Sequence, residues 1–108
     1  MSTTLKTIAL DWNNLGQSSD QGLQRFFQAV GENRSLTKVD LSNNELGPEV
    51  GPLIAGCLRA NSTLETLDLR WNKLSNQGAK VIIKGLSMNK SLTILELSGN
   101  RVTDELLR

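Results

Sequence analysis

Leu64-Glu65-Thr66-Leu67-Asp68-Leu69-Arg70-Trp71-Asn72-Lys73-Leu74 sets leucines and one asparagine in the order L-x-x-L-x-L-x-x-N-x-L. That spacing follows neither the 3.6-residue period of an amphipathic helix nor strand alternation throughout. The same order recurs at Leu5, Ile8, Leu10, Asn13 and Leu15; at Leu36, Val39, Leu41, Asn44 and Leu46; and at Leu92, Leu95, Leu97, Asn100 and Val102. Successive copies begin 31, 28 and 28 residues apart.

Four copies in one register are the signature of a leucine-rich repeat, and a unit this long has room for a strand, a turn, a helix and a return loop. The predicted fold is an α/β solenoid, a horseshoe segment with parallel strands on the concave face and helices on the convex face. Strands about 4.8 Å apart and helices needing about 10 Å each make such an array curve. The chain reads as one domain over 1–108, with about three and a half repeats at 5–35, 36–63, 64–91 and 92–108.

The remaining composition narrows the function classes. In a 108-residue chain, 12 basic and 11 acidic residues leave a net charge of +1, which gives no long-range pull on nucleic acid or an anionic membrane. Cys57 is the single cysteine and there is no histidine, so neither an internal disulfide nor a Cys/His metal site is available. No charged and apolar leader opens the sequence, and no apolar run approaches the roughly 18 residues of a membrane span. The expectation is a soluble, cytoplasmic protein in a reducing compartment, without cofactor or metal.

Within each unit the same plan is expected. The first strand falls around Thr7 to Ala9, and a polar loop from Gly16 to Gln21 takes up the longer first unit, with Asp20 as N-cap of the next helix. That helix should bury Leu23, Phe26, Phe27 and Val30 and end near Gly31. The second should start at Gly51 or Pro52, because Pro52 would remove an interior hydrogen bond from an earlier start, and should bury Leu53, Ile54, Cys57 and Leu58. The third should run from Gly78 with Val81, Ile82, Ile83 and Leu86 inward, and Thr103, Asp104 and Glu105 announce a fourth. The first strand and the last unit have no evident caps, so stacking on further repeats or self-association through these ends is expected.

Asn13, Asn44, Asn72 and Asn100 form a ladder whose carboxamides offer both donor and acceptor to the turn leaving each strand. Asn33, Asn61 and Asn89 each satisfy N-x-[ST], but all three fall at the helix-to-strand return, where Asn and Ser or Thr are turn formers. The structural role is the expected one there.

Outward positions between the leucines supply the candidate binding residues. One column is Ala9, Asp40, Asp68 and Glu96; the next is Asp11, Ser42, Arg70 and Ser98; just before the ladder come Trp12, Asn43, Trp71 and Gly99; and on the other side lie Thr7, Lys38, Thr66 and Ile94. Partly exposed tryptophan and arginine are enriched at interaction hot spots, and a line of carboxylates favours a cationic partner. Trp12, Asp40, Asp68, Arg70, Trp71 and Glu96 are therefore the candidate partner-binding residues, with a protein as partner. Catalysis is not expected, since the open face offers Asp40 and Asp68 no desolvated pocket and no nucleophile-base pair is present.

Taken together, the units resemble ribonuclease-inhibitor-type leucine-rich repeats. That group includes nuclease inhibitors, activators of the Ran GTPase and the sensing ends of NOD-like receptors. The order of units, from Asp11-Trp12-Asn13-Asn14-Leu15-Gly16 through Leu67-Asp68-Leu69-Arg70-Trp71-Asn72 to Leu95-Glu96-Leu97-Ser98-Gly99-Asn100, is more particularly similar to the leucine-rich-repeat family of the centrosome linker. The first resemblance implies protein binding or regulation of a nuclease or GTPase. The second implies a cytoskeletal setting at the centrosome or cilium.

Overall fold

The computed structural model describes residues 6–15 and 20–103. Four three-residue strands, β1 (Thr7–Ala9), β2 (Lys38–Asp40), β3 (Thr66–Asp68) and β4 (Ile94–Glu96), form one parallel sheet in the order β1-β2-β3-β4. Each crossover carries a helix: α1 (Asp20–Glu32), α2 (Gly51–Ala60) and α3 (Ser75–Leu86). The strand register pairs Ile8 with Val39, Val39 with Leu67 and Leu67 with Leu95, as the repeat spacing predicts. The leucine-rich repeat fold read from the sequence is the fold observed.

The core fills the slot between sheet and helices with the repeat leucines. Leu36, Leu41, Leu46, Leu64, Leu69 and Leu74 are all fully buried, joined by Val39, Leu67, Ile54, Leu58 and Ile82. Their counterparts in the outer repeats, Ile8, Leu10, Leu15, Leu92, Leu95 and Val102, are only partly buried. A solenoid explains the gradient, because a unit buries its apolar face against neighbours and the outer units here have one described neighbour each.

The end of α1 and the start of α2 fall where the sequence reading placed them, whereas α3 starts earlier. α1 already contains Asp20 and Gln21 and runs one residue past Gly31. It buries Leu23, Phe27 and Val30, while Phe26 stays half-buried with its ring edge-on to Phe27, centroids 5.1 Å apart. α2 starts at Gly51, after a 3-10 turn at Pro48–Val50 that uses Pro48 where its missing N–H costs nothing. Of its expected inward residues, Leu53 is only partly buried. α3 begins at Ser75, three residues before the expected start, and of its four expected inward residues only Ile82 is buried. Gly78, Ala79 and Gly85 take the other buried positions, with Gly78 against the 3-10 turn and Gly85 against α2. A Cβ at Gly85 would stand 2.6 Å from the Ala55 Cα.

Two asparagine ladders close the turns at either end of the strands. Asn72 Oδ1 accepts from the N–H groups of Asn44 (2.9 Å) and Leu46 (3.0 Å), and its amide donates to the carbonyls of Leu41 and Leu69, both at 3.0 Å. Asn44 does the same for Asn13 and Leu15, and Asn100 accepts from the Leu74 N–H. Asn13, in the first unit, is exposed and among the described residues its amide donates only to Leu10 and Asp11 of its own turn. On the return side the Asn61 amide donates to the carbonyls of Val30 and Asn33, and the Asn89 amide to those of Leu58 and Asn61. At Asn61 and Asn89 the nitrogen a glycan would need is thus engaged in joining repeats.

The polar loop residues 16–19, the Asp20 side chain as an N-cap, the N-terminal Leu5 and the helix start at Asp104 and Glu105 lie outside the described residues. Among the described residues no helix is long and apolar enough to cross a membrane, and no His/Cys/Asp/Glu group could hold a metal.

Candidate functional site

The sheet brings the six candidate residues to one face and one rim. Ala9, Asp40, Asp68 and Glu96 stand in register across β1 to β4. Beyond the strands the ladder continues for one more step. The N–H of Trp12 donates to the Ser42 carbonyl (3.1 Å), that of Asn43 to Arg70 (3.0 Å) and that of Trp71 to Ser98 (2.9 Å). The tryptophan column therefore sits at the C-terminal ends of the strands, where the chain turns away from the sheet.

The carboxylates have local partners. Asp40 Oδ1 accepts from both the N–H (3.0 Å) and the hydroxyl (2.7 Å) of Ser42, and Asp68 Oδ1 accepts from the N–H of Arg70 (3.0 Å). Such i to i+2 contacts are Asx turns, which guide the chain out of each strand. Asp68 is only 5% exposed and lies beneath the Arg70 guanidinium, whose Nη2 is 2.7 Å from Asp68 Oδ2. The same guanidinium reaches Glu96, with Nε 3.0 Å from Oε2. Arg70 thus clasps two of the three carboxylates and crosses from β3 to β4. Burial pushes the Asp68 carboxyl up, but hydrogen bonds from the Arg70 side chain and backbone, and the charges of Arg70 and Lys38, outweigh it and hold the group below its usual range.

The rim is built differently. Trp12 (φ 63°), Asn43 (φ 58°), Trp71 (φ 59°) and Gly99 (φ 78°) all adopt the left-handed conformation. Asparagine and glycine enter that region readily, whereas a bulky side chain there is strained. The two tryptophans are nonetheless 73% and 62% exposed, Trp71 with its ring packed against Gly99. Between them runs a shallow groove of about 400 Å³, lined also by Asn14, Asn43, Glu45, Lys73 and Arg101. A larger hollow of about 690 Å³ follows the outer side of β4 along Ile94, Leu95 and Leu97.

The sequence reading placed Trp12 and Trp71 in one column but passed over the column beyond the asparagine ladder, Asn14, Glu45, Lys73 and Arg101. Its charge variation was the available signal. The sequence reading also took Asp40, Asp68 and Glu96 as a free acidic line, whereas two of them serve turns and two are held by Arg70. Cys57 is buried among core residues, which pushes its thiol up to about 12 and takes it out of any surface chemistry.

A family model described as Leucine Rich repeat matches residues 32–49, 60–82 and 89–105, more than half of the chain. No curated protein matches the sequence significantly. Among solved structures, the tropomodulin C-terminal domain of Caenorhabditis elegans superposes with a TM-score of 0.79 at 15% identity, covering 93% of this chain and 59% of that one. A structure of leiomodin-1 actin-binding site 2 superposes with a TM-score of 0.77 at 27% identity, covering 89% of this chain and 54% of that one. The chain spans less than two thirds of either neighbour.

Proposed function

Because the chain belongs to the leucine-rich repeat family, we propose that it acts as a non-catalytic protein-binding module, with the strand face and its C-terminal rim as the docking surface. Trp12 and Trp71 anchor the partner, and Asp40, Asp68, Arg70 and Glu96 form the adjoining polar floor. The observation that carries this reading is the pair of tryptophans held in the left-handed conformation with most of their surface in water. Strain retained at two aromatic side chains that are both more than half exposed points to a role outside the folded chain.

The setting proposed is cytoskeletal, with actin as the first partner to test, because leiomodin-1 actin-binding site 2 stands among the structural neighbours. Nothing in the comparisons favours the ribonuclease-inhibitor subclass, the centrosomal or ciliary form of the cytoskeletal role, a GTPase-activating role or a NOD-like receptor segment. An inhibitor of a basic nuclease would draw on free negative charge, and Asp68 and Glu96 are already paired with Arg70.

Immobilised protein titrated with purified monomeric actin, and cosedimentation with filaments, test the actin form. Capture that Trp71→Ala abolishes, with circular dichroism unchanged, supports the reading. Capture indifferent to both tryptophans would remove the rim from it.

A further inference from the structure

The rim also restricts what shape of partner segment it can receive. Trp12 and Trp71 stand two ladder steps apart, with Asn43 between them. Neighbouring strands are about 4.8 Å apart, which separates the two anchor positions by about 9.6 Å. A polyproline II helix completes one turn in three residues and advances about 9.3 Å in doing so. Residues i and i+3 of such a segment, laid across the strand ends, would advance by the distance that separates the two tryptophan backbone positions. Its backbone has no internal hydrogen bonds, so its carbonyls are free to accept from the Asn14 and Asn43 amides that line the same groove.

Charge gives the groove a direction. Glu45 lies between the tryptophans' units, while Lys73 and Arg101 occupy the β3 and β4 end. All three are exposed, and among the described residues no carboxylate lies within ion-pair distance of Lys73 or Arg101. A segment passing Trp71 would reach two cations in succession.

We propose that the tryptophan rim binds a proline-rich segment in the polyproline II conformation, with prolines at i and i+3 on Trp12 and Trp71 and acidic residues beyond Trp71. Rigid, preformed ligands of this kind lose little entropy on docking to aromatic grooves. The inference rests on the rim being a docking surface and adds the class of its partner.

The two tryptophans are the chain's only ones, so their own emission reports binding. The probe is an acetylated peptide Pro-Pro-Ala-Pro-Pro-Glu-Glu, with a second version carrying the acidic pair at its N-terminus. The controls are Gly-Ser-Ala-Gly-Ser-Glu-Glu and Pro-Pro-Ala-Pro-Pro-Lys-Lys. At least one acidic proline peptide should give a saturable change, and both controls should bind about tenfold or more weakly.

Trp12→Asn and Trp71→Asn place the residue native to this column at position 43 in each anchor site and should each weaken binding about tenfold. Replacing Lys73 and Arg101 together by Glu should remove the preference for the acidic flank. Equal binding of the Gly-Ser peptide would reduce the effect to charge and overturn the proposal. So would the absence of saturation, or binding unaffected by either tryptophan substitution. Tryptophan-dependent capture of actin alongside a failed proline peptide would overturn this inference while leaving the proposed function standing.

Discussion

The six-membered ring of the Trp71 indole rests over the α-carbon of Gly99, filling the space that a side chain there would need. A methyl group at Gly99 would stand 2.6 Å from Cδ2 and 2.9 Å from Cζ3 of Trp71, well inside contact distance. Gly99 also has φ 78°, which an alanine adopts at a cost of about 1 to 2 kcal/mol. Gly99→Ala should therefore lower stability by at least about 1 kcal/mol and push the indole outward. Thermal melting reads the first effect, and Trp71 emission in a Trp12→Phe background reads the second. An unchanged spectrum would mean the ring does not rest there in solution.

Trp12 lies in the same column without a compensating glycine identified beside it, and it is the more exposed of the pair. Trp12→Asn exchanges a strained residue for one that tolerates the left-handed region, so stability should rise by up to about 1 kcal/mol. A falling melting temperature would show that the indole packs more than its exposure suggests.

The fold was legible because a solenoid writes its register into the sequence. Leu36, Leu64 and Leu92 recur at a fixed spacing, and this alone predicted that Val39, Leu67 and Leu95 would pair across the sheet. The helix limits were less legible. Gly78 marks close packing inside α3, and read as punctuation it suggested a start three residues too late. The candidate surface was half legible: alternation identifies which side chains leave the sheet, but not which of them find partners. Asp68 and Arg70 lie two residues apart on the same side of the chain, and their pairing emerges only when the Asx turn folds the guanidinium back. The positive φ of the tryptophan column could have been suspected from Asn43 and Gly99, two left-handed formers at equivalent positions.

The Asp68–Arg70 clasp makes stability depend on acidity. A carboxyl whose folded pKa lies below its unfolded value of about 3.9 stabilises the fold above that pH, and the contribution is lost as pH falls through the folded value. The melting temperature should therefore drop below about pH 4. Asp68→Asn should lower it at neutral pH and flatten the acid limb. An acid limb of unchanged steepness in that variant would assign the loss to other carboxylates.

Cys57 offers a probe of opening. Burial holds its pKa near 12, so almost no thiolate is present at neutral pH in the folded state. Alkylation by iodoacetamide should be slow and should accelerate with denaturant in parallel with loss of circular dichroism. Fast labelling under native conditions would reveal local separation of α2 from its neighbours, since the folded chain leaves Cys57 only 6% exposed.

Asn72 and Asn13 occupy the same position in their repeats yet should respond very differently to alanine. Asn72 is 5% exposed, accepts from two backbone N–H groups of the preceding unit and donates to one carbonyl of that unit, Leu41, and one of its own, Leu69. Removing it strands buried groups that water cannot readily reach, each at about 1 to 3 kcal/mol, so Asn72→Ala should cost at least about 2 kcal/mol. Among the described residues the Asn13 side chain serves only its own solvent-facing turn, and Asn13→Ala should stay within about 0.5 kcal/mol of the parent. Asn72→Asp separates the two functions of the side chain, because a carboxylate can still accept from Asn44 and Leu46 but no longer donates to Leu41 and Leu69. It should also destabilise, with part of the loss recovered at low pH where the protonated acid regains a donor. Denaturant midpoints for the three variants check the order. Equal sensitivity at Asn13 and Asn72 would mean that the ladder acts turn by turn and does not join the repeats into one cooperative unit.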